Sequence, residues 1–383
     1  MTVRFRSTLR RIHLWLGLSF GLLFALLGLT GSALVFYIEI DGVLNRASEA
    51  PESVTPTSDW TSPKWDRALA TGRARWNDPA GTWSFEATGE GGEIPARYYP
   101  PAHGHGHHHA EREMVWFAPD GSRVVRSDPW GDYAMSWIYE LHANLLSAEP
   151  GRQVSGWSGF VLLILLVTGI IAWWPRGSWR KALALKRGAA PMRRLYDLHK
   201  LFGVWSMILL FLLVGTGVFL ALADTKTQIL TAVVGAPDKQ PDPKSSAASG
   251  KQISVSAALA SAQRALPGAT LAFIDVPAAG PDPFRMRVQV PGDPHRRFPG
   301  SFIWVDQYSG KVLAVHDVRG GNEATTIAKW IRALHDGSAA ALPGRILAAL
   351  LGLVPAILFI TGFLHWRRRA AARAKYRSTG SIS

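Results

Sequence analysis

A chain of 383 residues with no cysteine and a net charge of +14 excludes disulfide frameworks, Cys-ligated iron–sulfur clusters and covalently attached c-type haem. Nor is the charge a nucleic-acid footprint. Residues 1–12, 176–195 and the tail from 367 hold 17 of the 42 Lys and Arg and no acid, leaving 25 basic against 28 acidic residues elsewhere; the cytoplasmic flanks of spanning helices collect Lys and Arg in this way.

In chain order, residues 1–37 carry Arg4, Arg6, Arg10 and Arg11 and then an apolar stretch from His13 to Tyr37. That stretch is longer than the roughly 7–15 residues of a signal-peptide core, and no A-x-A-like site follows it. The sequence therefore predicts a retained first span. Residues 38–153 form a first outer segment. Within it "MVWFAPDGSRVV" (Met114–Val125) reads as strand, turn and strand. The run His103–His109 has the composition of a transition-metal trap, without the fixed spacing of a structural zinc site; a tolerated low-complexity insert fits it as well. The segment closes on "ELHANLL", which places His142 just ahead of the second span, 154–174.

Residues 175–199 are a basic cytoplasmic loop, and 200–222 are the third span. The second outer segment, 223–345, opens with a linker rich in Pro, Ser and charge at 235–251. A helix capped by Ser254 and stopped by Pro267-Gly268 follows. "FIWVDQYSGKVL" (Phe302–Leu313) is a second hairpin, and His335 precedes the fourth span, 346–366, which Pro355 is expected to kink. A basic tail, 367–383, ends the chain. Each apolar run reaches the about 20 residues a bilayer crossing takes, so the partner common to all four is lipid.

The chain is written twice. "LHANLLSAEPGR" from Leu141 matches "LHDGSAAALPGR" from Leu334 at an offset of 193, and the match continues through Gly159/Gly352, Thr168-Gly169/Thr361-Gly362 and Trp173/Trp366. At an offset of 186, His13 pairs with His199, Gly17 with Gly203, and Thr30-Gly31 with Thr216-Gly217. Two spans per half make both copies face the same way, with a pseudo-twofold axis along the membrane normal. The expected fold is a mainly α membrane protein: four transmembrane helices in two tandem parallel repeats, with small α+β domains outside. Glycines in the spans suit close helix packing or a flat ligand.

Ionisable groups at membrane depth are costly and mostly functional. Twofold symmetry brings His13 to His199 at one face and His142 to His335 at the other. Opposed imidazoles are what a six-coordinate haem iron requires; the same residues would also serve a proton relay, although the span interiors hold no acid. His365 has no symmetric partner, since Ala172 stands at the matching position. Three roles remain open for it: a ligand displacing His13 or His199, a quinone-contacting group, or an interfacial residue. His295 and His316 read as ordinary loop and strand-end residues. Trp130, Trp137, Arg296 and Arg297 are outer-segment candidates for contact with an acidic or hydroxamate ligand, and ordinary surface packing explains each as well.

"RRIHLWLGL", "ELHANLL", "LYDLHKLFGVW", "ALHDG" and the Thr-Gly spans resemble the PepSY-associated transmembrane proteins, and residues 251–316 look like a PepSY domain. In length and layout the chain is similar to inner-membrane siderophore reductases of the ferrioxamine-reductase (FoxB) type. The resemblance implies a bacterial inner-membrane protein with both termini cytoplasmic and PepSY-like periplasmic domains. It implies two non-covalent haems b, His13 and His199 holding the inner one and His142 and His335 the outer. Electrons would pass to a periplasmic iron(III)–siderophore and release iron(II). No G-x-G-x-x-G follows a strand, so the donor would be a quinol, a free reduced flavin or a separate reductase. Two other classes compete: a non-enzymatic membrane anchor whose PepSY-like domains bind peptides or regulate a peptidase, and a transporter, for which four spans are few.

Overall fold

The computed structural model describes residues 3–45, 60–87, 92–101, 112–175, 177–186, 188, 190–246 and 250–380. The run His103–His109 lies outside them. Two compact units divide the chain: residues 1–36, 138–226 and 334–383 in one, and 37–137 and 227–333 in the other.

The first unit is built on four helices long and apolar enough to cross a membrane. Helix α1 (Val3–Leu34) ends three residues earlier than the sequence suggests, because Val35 and Phe36 close back on the carbonyls of Gly31 and Ala33. A short α2 (Tyr37–Leu44) then starts afresh. In the other unit come α3 (Lys64–Trp76) and strands β1 (Thr82–Glu86), β2 (Ile94–Tyr99), β3 (Glu113–Phe117) and β4 (Val124–Pro129). Helix α4 (Ala134–Asn144) carries His142 and leads to α5 (Ala148–Trp173), the second candidate span. The basic loop contains a single turn, α6 (Trp179–Ala182), and yields to α7 (Pro191–Ala221), which Pro191 starts with its fixed φ and missing N–H.

Helix α1 packs against α5 and α11 (Ala341–Gly380), and α7 packs against the same two. Helix α11 runs without interruption through Pro355. The buried positions of this bundle include Ser158, Thr168, Ser206, Thr216 and Thr361, whereas Leu22, Trp205, Ile208, Leu350 and Ile360 are exposed. That inversion suits an apolar solvent, where lipid accepts leucine and helix contacts rely on small and hydroxylated residues. At the α1–α11 crossing Gly28 and Gly352 meet backbone to backbone, and Ser32 Oγ donates to Ala349 O at 2.7 Å.

The second unit continues with α8 (Ala223–Val233), α9 (Val255–Ala265), strands β5 (Thr270–Val276), β6 (Phe284–Gln289), β7 (Ser301–Val305) and β8 (Val312–His316), and α10 (Glu323–His335), whose last residues pass into the first unit. Both expected hairpins form, as β3–β4 and β7–β8. Instead of separate small domains, the two outer segments build one antiparallel sheet, β4-β3-β2-β1-β5-β6-β7-β8. The join is β1 against β5, with Trp83 opposite Val276 and Phe85 opposite Ile274. Either meander alone would leave that strand as an unpaired edge, which costs backbone hydrogen bonds.

One sheet face is covered by α3 and α9 over Trp65, Trp83, Phe85, Phe117, Met286 and Ile303. Val255, Ala258, Leu259 and Ala262 supply the apolar stripe of α9 at helical spacing. Ser254 caps that helix as expected, accepting from Ala257 N at 3.1 Å. Asp66 of α3 caps it a second time, accepting from Val255 N at 2.6 Å and Ser256 N at 3.2 Å.

Candidate functional site

The four duplicated histidines form two neighbouring pairs inside the first unit. The rings of His13 (α1) and His199 (α7) have centroids 6.1 Å apart, inclined at 89°. Those of His142 and His335 are 6.3 Å apart, inclined at 40°. His142 approaches Leu27 and Thr30, 14 to 17 residues along α1 from His13. At 1.5 Å per residue, the two levels are about 21–25 Å apart along that helix.

Each imidazole is held by the same device. His13 Nδ1 lies 3.1 Å from Leu165 O and 3.2 Å from Thr168 Oγ1. His199 meets Leu358 O at 3.0 Å and Thr361 Oγ1 at 3.2 Å. His142 meets Leu27 O at 3.0 Å and Thr30 Oγ1 at 3.2 Å. His335 meets Leu213 O at 2.9 Å and Thr216 Oγ1 at 3.4 Å. Every one of these threonines donates its own proton to the carbonyl four residues back, at 2.7–2.8 Å. The hydroxyl can therefore only accept from the ring. A carbonyl also only accepts, so Nδ1 must carry the proton and Nε2 the lone pair. That is the tautomer a metal-ligating histidine needs, fixed by its outer partner.

The glycine after each threonine makes room for the ring. A methyl group at Gly31 would stand 2.8 Å from Cε1 of His142, at Gly169 3.0 Å from that of His13, at Gly217 2.7 Å from that of His335, and at Gly362 3.2 Å from that of His199. The four Thr-Gly pairs, legible as helix-packing motifs, are thus the cradles of the four histidines. What signalled it in the sequence was their number and register, one pair for each duplicated histidine.

Metal–nitrogen bonds of about 2.0–2.1 Å and imidazoles whose centre lies roughly 1.1 Å from Nε2 predict opposed ring centroids about 6.2–6.4 Å apart. Both pairs fall at that spacing to within 0.1 Å or so. Among the described residues no three His, Cys, Asp or Glu come together as a metal site. A metal held by two imidazoles would draw its other ligands from elsewhere.

His365 stands beside Tyr196, ring centroids 6.1 Å apart, while His13 and His199 neighbour each other. Two residues before His199, Asp197 is fully buried and pairs with Lys200 at 2.9 Å and Arg193 at 3.2 Å; Lys200 also reaches Ala184 O at 3.3 Å. This ion cluster, tying the basic loop to α7, had no clear signature among the many charges around it.

In the second unit His295 is a buried loop residue whose Nδ1 accepts from Phe298 N at 3.1 Å, and His316 ends β8. Arg297 is bound to Glu86 through Nε and Nη2 at 2.6 and 3.0 Å. Trp130 lies under the guanidinium of Arg112 at 3.7 Å, and Trp137 is exposed. Tyr37 and Tyr133 share a hydrogen bond between their hydroxyls, and burial, against the lowering effect of that bond, pushes Tyr37 up to about 12. Sequence reasoning missed a row running across four strands on the face away from α3 and α9. Glu86 is opposite Phe273, Phe273 opposite Arg287, and Arg287 opposite Phe302.

A 100-residue stretch, 26% of the chain, is 31% identical to "Uncharacterized protein PA4219" of Pseudomonas aeruginosa. The chain spans about a quarter (25%) of that relative's length. The family model described as the PepSY-associated TM region matches residues 10–369. With its four apolar helices and nearly its whole length inside that match, the chain belongs to the PepSY-associated transmembrane family.

Proposed function

We propose that the protein is a di-haem membrane reductase of the ferrioxamine-reductase (FoxB) type, carrying electrons across the inner membrane to a periplasmic iron(III)–siderophore. The observation that carries the reading is the spacing of the two histidine pairs, whose ring centroids stand as far apart as one iron between two Nε2 atoms would need. His13 and His199 would hold one haem b, and His142 and His335 the other. When bound, each haem supplies a one-electron redox centre.

The chain's own residues do the rest. The Thr and Leu oxygens orient each ring and raise the basicity of Nε2 through the Nδ1 proton. The glycines let the rings stand close to the helices. Hydrophobic helices keep water from the level between the pairs. The basic ends at residues 3–12 and 367–373 support cytoplasmic termini, and the eight-stranded sheet would then lie in the periplasm. Residues 251–316, as helix and antiparallel strands, support a PepSY-like domain, and the matching hairpins and His contacts support two tandem parallel repeats. One electron converts chelated iron(III) to iron(II), which hard oxygen ligands hold less tightly. A quinol, a free reduced flavin or a separate reductase would supply it; a two-electron quinol would lose two protons and serve two chelates.

The reading is tested by absorbance of the detergent-solubilised protein expressed with ample haem. A Soret band with two haems per chain is expected. His142→Ala and His335→Ala should each lose one haem, and His13→Ala and His199→Ala the other. Colourless protein would instead leave the non-enzymatic, peptide-binding anchor as the account of the fold. Loss of haem in His365→Ala with none in His13→Ala would move the inner pair to His199 and His365.

A further inference from the structure

The sheet face away from α3 and α9 concentrates cations around aromatic rings. Phe298, in the β6–β7 loop, stacks on Phe273 at 5.6 Å and 14°. The guanidiniums of Arg332 on α10 and Arg287 on β6 approach the Phe298 ring to 5.1 and 5.6 Å, and Arg287 also lies 5.2 Å from Phe302. Arg287 is clamped in one plane by the carbonyls of Pro299 (2.6 Å from Nε) and Phe298 (3.3 Å from Nη2).

The neighbouring carboxylates are already engaged. Glu86 takes Arg297 and Arg97. Asp275 takes Arg285 and the Ser84 hydroxyl. Asp293 accepts from the backbone N–H groups of His295 and Gly300. Among the described residues no carboxylate reaches Arg287 or Arg332 at ion-pair distance. Burial first, and Arg332 second, pushes Arg287 down to about 10. A fixed, half-buried guanidinium beside a second one touches neutral acceptors, while Asp275 and Asp293 act on it from beyond ion-pair distance, so it has no counter-anion in contact.

We propose that Arg287 and Arg332, bracketing Phe298, form the recognition site for a negatively charged iron(III) chelate whose carboxylate or catecholate oxygens they bind. The planar guanidinium fork matches such paired oxygens, and the half-buried ring of Phe298 offers an apolar surface to the rest of the ligand. A neutral trihydroxamate chelate gives the two cations nothing to neutralise. That the anion is an iron chelate rests on the reductase reading; that the site takes an oxyanion does not.

Gallium(III) copies the charge of iron(III) without being reduced under these conditions, so binding can be separated from electron transfer. The full chain in detergent would be titrated calorimetrically with gallium citrate, gallium tris-catecholate and a neutral gallium trihydroxamate. Both anionic chelates should bind, and more weakly as salt rises. Arg332→Gln, at an exposed position, and Arg287→Gln should each weaken them at least tenfold. Arg285→Gln, whose partner is Asp275, should not. Equal binding of the neutral chelate, or unchanged binding in Arg332→Gln and Arg287→Gln, would overturn the proposal. Metal-free citrate binding as tightly as its gallium complex would overturn the chelate assignment. Because no haem takes part in the titration, a colourless protein would defeat the electron-transfer reading and leave this result standing.

Discussion

Adding one methyl group at Gly217 tests whether the histidines are metal ligands. The new Cβ would stand 2.7 Å from Cε1 of His335, whereas carbon atoms rest about 3.5–4.0 Å apart. The ring, or the helix carrying Gly217, must therefore retreat by about 0.8 Å or more. A metal–ligand bond tolerates only about 0.2 Å, so the displacement is roughly four times what coordination allows. Disturbing the support of a ligating histidine typically weakens metal binding by about 10–100-fold. Gly217→Ala should therefore lose the haem of the His142–His335 pair and keep the other. The contacts at Gly31 (2.8 Å), Gly169 (3.0 Å) and Gly362 (3.2 Å) predict a graded series, with Gly362→Ala the mildest. Gly42, which lies in α2 outside the spans and has no heavy atom within 4 Å of its added Cβ, is the control. The assay is haem per protein by pyridine haemochrome, with the low-spin bis-imidazole spectrum as the ligand signature. Two haems and an unchanged spectrum in Gly217→Ala would refute the reasoning, as would losses that ignore the order of the contacts.

Three further outcomes follow from the packing. Thr168→Val removes one of the two acceptors of the His13 Nδ1 proton, makes Nε2 less basic, and should move the midpoint potential of that site upward in a redox titration; a downward shift would contradict the cradle's role. Lys200→Ala leaves Asp197 buried with Arg193 as its remaining side-chain partner. A cost of about 3 kcal/mol, the low end for a broken buried pair, should appear as a lower thermal midpoint, while the double variant Asp197→Leu/Lys200→Met should recover most of it. Asp306 is buried, which opposes its charge, but N–H groups of Ser246 (2.6 Å), Ser309 (2.8 Å) and Tyr308 (2.8 Å) hold its carboxyl well below the usual range. A depressed folded value gives stability that is present above the unfolded pKa, about 3.9, and lost as pH falls below it. Asp306→Asn should therefore cost about 1.5–3 kcal/mol near neutrality, with the gap to the parent narrowing below about pH 4. Denaturation followed by tryptophan fluorescence would show it, and a gap that widens in acid would reverse the sign of the argument.

Much of this architecture is legible in the residues, for a physical reason. Spans are long apolar runs, hairpins announce themselves through turn glycines between alternating strands, and Ser254 sits where a cap must sit. The pairing of His13 with His199 and of His142 with His335 follows from symmetry alone. Less legible is whatever depends on contacts between distant segments. The joining of β1 to β5 turns two supposed domains into one sheet, yet nothing local to Trp83 or Val276 marks them as neighbours. The Thr-Gly pairs are ambiguous in isolation, since a small residue in a membrane helix serves packing equally well; only the ring lying on each one shows its use. Arg287 looks like any solvent-facing strand residue until Phe298 folds over from the next loop.

The histidine cradles divide in a particular way between the halves of the chain. His13 and His142 are gripped by α5 and α1, and His199 and His335 by α11 and α7. Orientation of each ring is thus settled inside its own half, whereas every opposed pair straddles both. Iron seated between them would act as a clasp, fastening one half-molecule to the other at two heights. Two co-expressed fragments parted in the 183–190 loop, already joined by β1 against β5 and α1 against α11, should then hold together more firmly when porphyrin is supplied, and starving the cell of it should lower the temperature at which they part.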